Sequence, residues 1–311
     1  MFGICKKMSK QISVNFKKLK EIFDLLKKHH ECAGTLIVKQ GKVQSYTISK
    51  GESDSVRTPL SIWNWHTHPL FLYSREGVCW GWPSGEDLRE VVLFGLGGNK
   101  AHFVFTLEGV YIIKITPCFK NWLAKTVKDP WDRGLIVAAL EMVFKSTHNL
   151  RTNSYNKKYK INPTDWINMV HRLRITFLFD RTHKGNDPCG KITCKKIITH
   201  DNDFGERKLM TIDKYAETYE GDKLNIYKIS KTGTLLDVKK IKMEELFQKL
   251  ERLGKDLEAK CPNAKLYNIN FVLNSGLPSN FLTMKYAKRR EFYRTIEEVK
   301  PHQETVKITY F

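Results

Sequence analysis

Two histidines two residues apart, in Trp-His-Thr-His-Pro at 65–69, and a carboxylate at Asp87, in Trp-Pro-Ser-Gly-Glu-Asp-Leu at 82–88, are the residues best suited to chemistry. The Trp, Ile and Thr content of residues 60–68 predicts a strand, on which residues two apart share a face. His66 and His68 then project together, with Asn64 on the same side. Two imidazoles on one side of a rigid strand, joined by a carboxylate, are the three protein ligands of a catalytic zinc site, whose fourth position stays open to water. Pro69 ends the ladder directly after His68, so the ligands are expected at a sheet rim that a substrate can reach.

The rest of the chemistry is expected upstream and beside Asp87. Glu31 lies in His-Glu-Cys-Ala-Gly-Thr-Leu-Ile-Val, where a helical pattern gives way to an apolar run. A Glu that hydrogen-bonds the water without ligating the metal acts as general base and then as general acid. Ser84, three residues before Asp87, stands at a predicted helix start, where its hydroxyl faces the substrate carbonyl as an oxyanion donor. The same Ser-to-Asp spacing is that of a capping box, which opens many helices without catalysis. The His-Thr-His-Pro before it, and Glu-x-x-Gly at 31–34, favour the metal reading.

Glu-x-x-Gly at 31–34, His-Thr-His-Pro at 66–69 and Ser-Gly-Glu-Asp-Leu at 84–88 resemble the motif of the JAMM metalloproteases, also called JAB or MPN+ domains, which include zinc-dependent deubiquitinases. Cys-Trp at 79–80 is similar to proteasome-lid and signalosome members. The resemblance covers roughly residues 10–120. It implies an α/β fold, the JAMM/MPN mixed sheet flanked by helices, similar to cytidine deaminase. It also implies Zn²⁺ on His66, His68 and Asp87, with Glu31 and Ser84 catalytic. One departure stands out: the segment from Pro69 to Pro83 is longer than usual in the family, and bears on the substrate groove.

The chain has 311 residues, of which 41% are hydrophobic, enough for two cored domains. We expect a metalloprotease-like domain over 1–150 and a basic α+β domain of unknown role over 151–311. No apolar run approaches the length of a membrane span, and no secretory signal opens the chain. Seven cysteines form no disulfide-like array, which favours a reducing compartment. Cys189 and Cys194 lack the second pair that a Cys-only zinc site needs. The formal net charge of +20 is spread over both halves, attracting nucleic acid, acidic protein surfaces or anionic membranes without choosing among them. A soluble, Lys-rich surface accounts for it equally well.

Apolar residues at helical spacing predict a helix over 14–30. Strands are predicted over 34–38, 43–49, 101–106 and 110–116, and a helix over 84–96 capped by Ser84. His29 and His30 suit a helix C-terminus, and His102 an ordinary strand position. The segment 70–82 is expected as a loop whose aromatics slightly favour substrate contact. Helical stretches follow at 119–128 and 131–148, then a linker at 151–160, a helix at 165–173, a strand at 174–179 and a long loop at 181–207. The last hundred residues suggest a hairpin (224–229 with 234–238), helices at 243–257 and 286–299, and strands at 266–273 and 306–311. Lys288, Arg289, Arg290 and Arg294 make the later helix basic, with the three arginines as candidate phosphate contacts.

The first expectation is a zinc isopeptidase acting on ubiquitin or a ubiquitin-like tail, the substrate being implied by the resemblance alone. The alternative is a structural or assembly protein that uses the fold as a scaffold, with basic surfaces toward nucleic acid or acidic partners. Lys-, Asn- and Phe-rich composition suits an AT-rich genome such as a large DNA virus. The expected location is therefore the cytoplasm, the nucleus or a virion.

Overall fold

The computed structural model describes residues 10–53, 55–129, 132–134, 136–137, 140, 161–172, 214–220, 223–229, 235–262 and 265–310. The predicted linker at 151–160, the strand at 174–179, the loop at 181–207 with Cys189 and Cys194, and most of the stretch 131–148 lie outside these residues.

In chain order the strands are β1 (Lys10–Asn15), β2 (Cys32–Lys39), β3 (Lys42–Tyr46), β4 (Ser49–Lys50), β5 (Trp63–Thr67), β6 (Ala101–Phe105) and β7 (Gly109–Ile115). They continue with β8 (Lys214–Glu220), β9 (Lys223–Ile229), β10 (Leu235–Lys242), β11 (Tyr267–Leu273) and β12 (Thr305–Tyr310). The helices used below are α1 (Lys20–Asp24), α2 (Leu70–Glu76), α3 (Gly85–Leu96), α4 (Pro117–Asn121), α5 (Pro163–Arg172), α6 (Met243–Lys260) and α7 (Tyr286–Thr295). Together they make a mixed α/β structure. A nine-stranded mixed sheet runs in the order β11-β7-β6-β5-β2-β3-β1-β12, with β4 on β2, and β8, β9 and β10 form a separate antiparallel sheet.

β5 lies inside the sheet, parallel to β6 and antiparallel to β2, and all five of its residues are buried. Its two faces meet different layers. Trp65 touches Phe105, which also meets Phe16 and Phe23 of the N-terminal helical segment. On the other face His102 of β6 meets Phe94 of α3. Helical material therefore covers both sides, the arrangement that a strand buried on both faces requires.

The predicted helix at 14–30 is shorter than its periodicity suggests. Lys10–Asn15 is strand, paired residue by residue with β12, and Asn15 Oδ1 then accepts the Lys17 N–H to open the helical segment. From Phe16 to Lys27 the chain makes a 3-10 turn, α1 and a second 3-10 turn. Phe16, Leu19, Ile22, Phe23 and Leu26 are buried as their spacing predicts.

The boundary expected at 150/151 does not part the main sheet. β11 pairs with β7 over seven residues, and β12 with β1 over six, so the second half supplies both outer strands. Each covers a row of backbone donors and acceptors that β7 or β1 would otherwise leave open. Cys118 of α4 and Cys261 beyond α6 are joined as a disulfide across 143 residues. That pairing is not among the readings of the cysteine spacing, which offers no disulfide-like array. No helix among the described residues is long and apolar enough to cross a membrane.

Candidate metal centre

Parallel β5 and β6 are joined by a crossover that carries α3, which must run back along the sheet before β6 can begin. The N-terminus of α3 therefore sits at the rim where β5 ends, and the rim at the carboxyl ends of strands is where α/β sheets hold ligands. His66 projects from β5 and His68 from the residue after its end, one short of the predicted strand, and the two side chains still meet, with Asp87 coming to them from the first turn of α3. One ligand atom from each lies within 4.8 Å of the others, a group able to hold a metal ion.

The distances are close. His66 Nε2 is 3.0 Å from His68 Nε2, 3.3 Å from Asp87 Oδ1, and His68 Nε2 is 3.4 Å from Asp87 Oδ2. The capping box and the ligand group share Asp87. Ser84 Oγ accepts the Asp87 N–H at 3.1 Å, while Asp87 Oδ2 accepts the Ser84 N–H at 2.6 Å. The cap thus aims the carboxylate at the imidazoles. His68 Nδ1 donates to the Gly81 carbonyl at 2.7 Å, which turns Nε2 inward.

The charges follow from this packing. Burial opposes charge on His68, but the Asp87 carboxylate, helped by Glu31 and the Gly81 carbonyl, holds its imidazole up at about 9. Burial also opposes charge on Asp87, yet His66 and His68 keep its carboxyl well below the ordinary range. Burial, reinforced by His66, drives the neighbouring His102 well below the usual imidazole value.

Glu31 reaches the site through strand register. Ala33 of β2 stands opposite His66, and Glu31 lies one residue before β2 begins. Its side chain is buried, and its charge acts on His68. Gly34, which completes Glu-x-x-Gly, has no room for a Cβ: one would run into the Thr47 carbonyl and the Trp65 ring. His29 packs against Phe71, and neither it nor His30 belongs to the ligand group.

A second ring of residues holds the ligands, and sequence reasoning missed most of it. His102 Nε2 is 2.8 Å from His66 Nδ1, and its Nδ1 is 3.0 Å from Asn64 Oδ1. Its reading as an ordinary strand residue is corrected: it is 1% exposed and stacks on His66. Only the parallel register of β5 and β6, which puts His102 beside Asn64, reveals this. On the His68 side, the buried Glu108 carboxylate accepts from Gly81 N at 2.8 Å, Tyr111 Oη at 2.9 Å and Tyr73 Oη at 2.5 Å. Burial raises its pKa against those bonds. A Cβ on Gly81 would strike the Tyr73 hydroxyl.

The segment expected as a loop at 70–82 contains α2, and three of its four aromatics are packed inward while Phe71 stays half-buried. Tyr73, Trp80 and Trp82 are buried, and Trp82 stacks on Trp166 of α5. α7 clamps the segment from outside. Arg290 Nη1 donates to the Tyr73 and Val78 carbonyls at 2.7 and 3.1 Å, Tyr286 to Gly77 at 2.9 Å, and Tyr293 to Cys79 at 3.0 Å. Arg289 lies 3.7 Å over the Trp80 ring and is itself buried. Arg289 is therefore committed inside the fold, which corrects its assignment as a phosphate contact; Arg290 is half-buried and holds two backbone carbonyls, and Arg294 is exposed. Compared with known proteins, the chain matches no family model, no curated protein and no solved structure.

Proposed function

We propose that the chain is a JAMM-type zinc metallo-isopeptidase that removes ubiquitin or a ubiquitin-like tail. The observation that carries this reading is the convergence of His66, His68 and Asp87, with both imidazole Nε2 atoms turned toward the carboxylate. Two nitrogens and one carboxylate are a donor set that fits Zn²⁺ with a position left over. When bound, zinc would supply Lewis acidity to the reacting water and carbonyl. Glu31, buried and close enough for its charge to act on His68, takes the proton from the attacking water and returns it to the leaving lysine amine. The Ser84 hydroxyl, whose oxygen accepts the Asp87 N–H, keeps its own proton for the developing oxyanion. The ubiquitin substrate draws on the motif resemblance, the reaction class on the side chains present.

Purified protein is expected to cleave polyubiquitin or a ubiquitin-fusion reporter, to lose that activity to a chelator and to regain it with zinc. Glu31→Gln should lose about 10²–10⁴ in rate, the range for a general acid–base group, while still binding zinc. Full cleavage by Glu31→Gln would remove this mechanism. A second reading, a scaffold protein of the same fold, draws on the inward packing of the 70–82 aromatics and the charge of +20. Metal analysis separates the two: about one zinc per chain favours the hydrolase, and none, in protein made with zinc available, the scaffold.

A further inference from the structure

Asn64, His102 and His66 form one hydrogen-bonded row across β5 and β6, and each proton in it can be placed by its neighbours. Asn64 Nδ2 donates to the Pro59 carbonyl at 3.0 Å, which turns Asn64 Oδ1 toward β6. Asn99 Nδ2 donates to that oxygen at 2.8 Å and to the Ser61 carbonyl at 2.9 Å, so its own amide is fixed as well. Oδ1 has no proton to give. The His102 nitrogen that faces it at 3.0 Å, Nδ1, must therefore carry one. In the neutral ring Nε2 is then a bare acceptor, and the group 2.8 Å from it, His66 Nδ1, must be the donor. When the His66 ring is neutral, that leaves its Nε2 bare, facing His68 and Asp87.

We infer that His102 is a positioning residue that, through this row, makes His66 present Nε2 to a metal ion and prevents its ring from turning over. The consequence for metal binding rests on the metal-site reading above; the proton placement stands on the hydrogen bonds alone. Free neutral histidine prefers its proton on Nε2, so the row imposes the less common form on His66 and His102. Metal-bound histidines elsewhere hand their second N–H to a carboxylate, carbonyl or water. Here the acceptor is a neutral imidazole, anchored at its far side by two asparagines and two backbone carbonyls, which orients His66 without adding negative charge.

The test compares two variants in the full chain. His102→Gln can offer a carbonyl to His66 Nδ1 and an amide N–H to Asn64 Oδ1, whereas His102→Leu can offer neither. Zinc dissociation constants, measured by competition with a chromophoric chelator, should weaken about 10–100-fold for His102→Leu and stay within about threefold of the parent for His102→Gln. The visible absorption of the Co²⁺-substituted protein should move in His102→Leu alone. Parent-like zinc affinity and Co²⁺ spectrum in a folded His102→Leu would overturn the assignment. Long-range ¹H–¹⁵N spectra of the unaltered, metal-free protein give an independent reading that survives failure of a variant to fold. They should show Nδ1–H on both His66 and His102, and Nε2–H on a neutral form of either overturns the row. If the parent takes up no zinc, the proposed function fails, while these spectra still decide the proton placement.

Discussion

His66 Nε2 and His68 Nε2 stand 3.0 Å apart, with the Asp87 carboxylate against both. Two nitrogens at that distance need a proton between them or a cation beside them, since two facing lone pairs repel. In the metal-free protein the proton sits on His68, held up at about 9, while Asp87 stays ionised.

On the proposed function, zinc must displace that proton. Its affinity is therefore expected to rise about tenfold per pH unit between about 6.5 and 9, and to level off above. The sign for the metal-free fold is opposite. The folded pKa of His68 is raised, so its contribution to stability is fully present below about 6.5 and lost as pH climbs through about 9. Zinc titrations and denaturant melts across this range check both slopes, and a pH-independent zinc affinity would contradict the assignment of the proton to His68.

Ser84 has two duties that substitution can separate. Ser84→Ala removes the cap on Asp87 N–H and should cost about 1 kcal/mol, whereas Gly at an N-cap costs only a few tenths. If the hydroxyl is also the oxyanion donor, both variants should lose about 10²–10³ in turnover despite their different stabilities. Turnover that tracked stability would limit Ser84 to capping.

Glu108 holds Gly81, and Gly81 holds His68. Glu108→Leu would orphan the Gly81 N–H and two tyrosine hydroxyls at about 1–3 kcal/mol each, a large loss by chemical denaturation. Zinc affinity should fall with it, because the carbonyl that orients His68 is no longer fixed. A variant that stays as stable as the parent would show that the network does not brace the site.

The second half braces the first through α7. Arg290→Met leaves the Tyr73 and Val78 carbonyls without their donor and is expected to cost about 2–3 kcal/mol. Limited proteolysis should then cut first within 70–82. Cleavage elsewhere at an unchanged rate would count against the clamp.

Short-range relations were legible in the residues themselves. Strand period two brought the His66 and His68 side chains together, the strand stopped before Pro69, and the Ser84-to-Asp87 spacing gave a cap that also aims a ligand. The buried positions of the helix after Asn15 followed from spacing, though its first residues went to the sheet because β12 pairs with them. What decides the surroundings of the site is pairing between residues far apart in the chain: Ala33 opposite His66, His102 beside Asn64, Glu108 under Gly81, Arg290 over Val78. Hydropathy periodicity records which face of an element is apolar but not which strand lies next to it. Sheet order and register are set by backbone hydrogen bonds and by the packing of the whole core, so only the tertiary structure shows that the two halves share one sheet and one brace around the candidate metal centre.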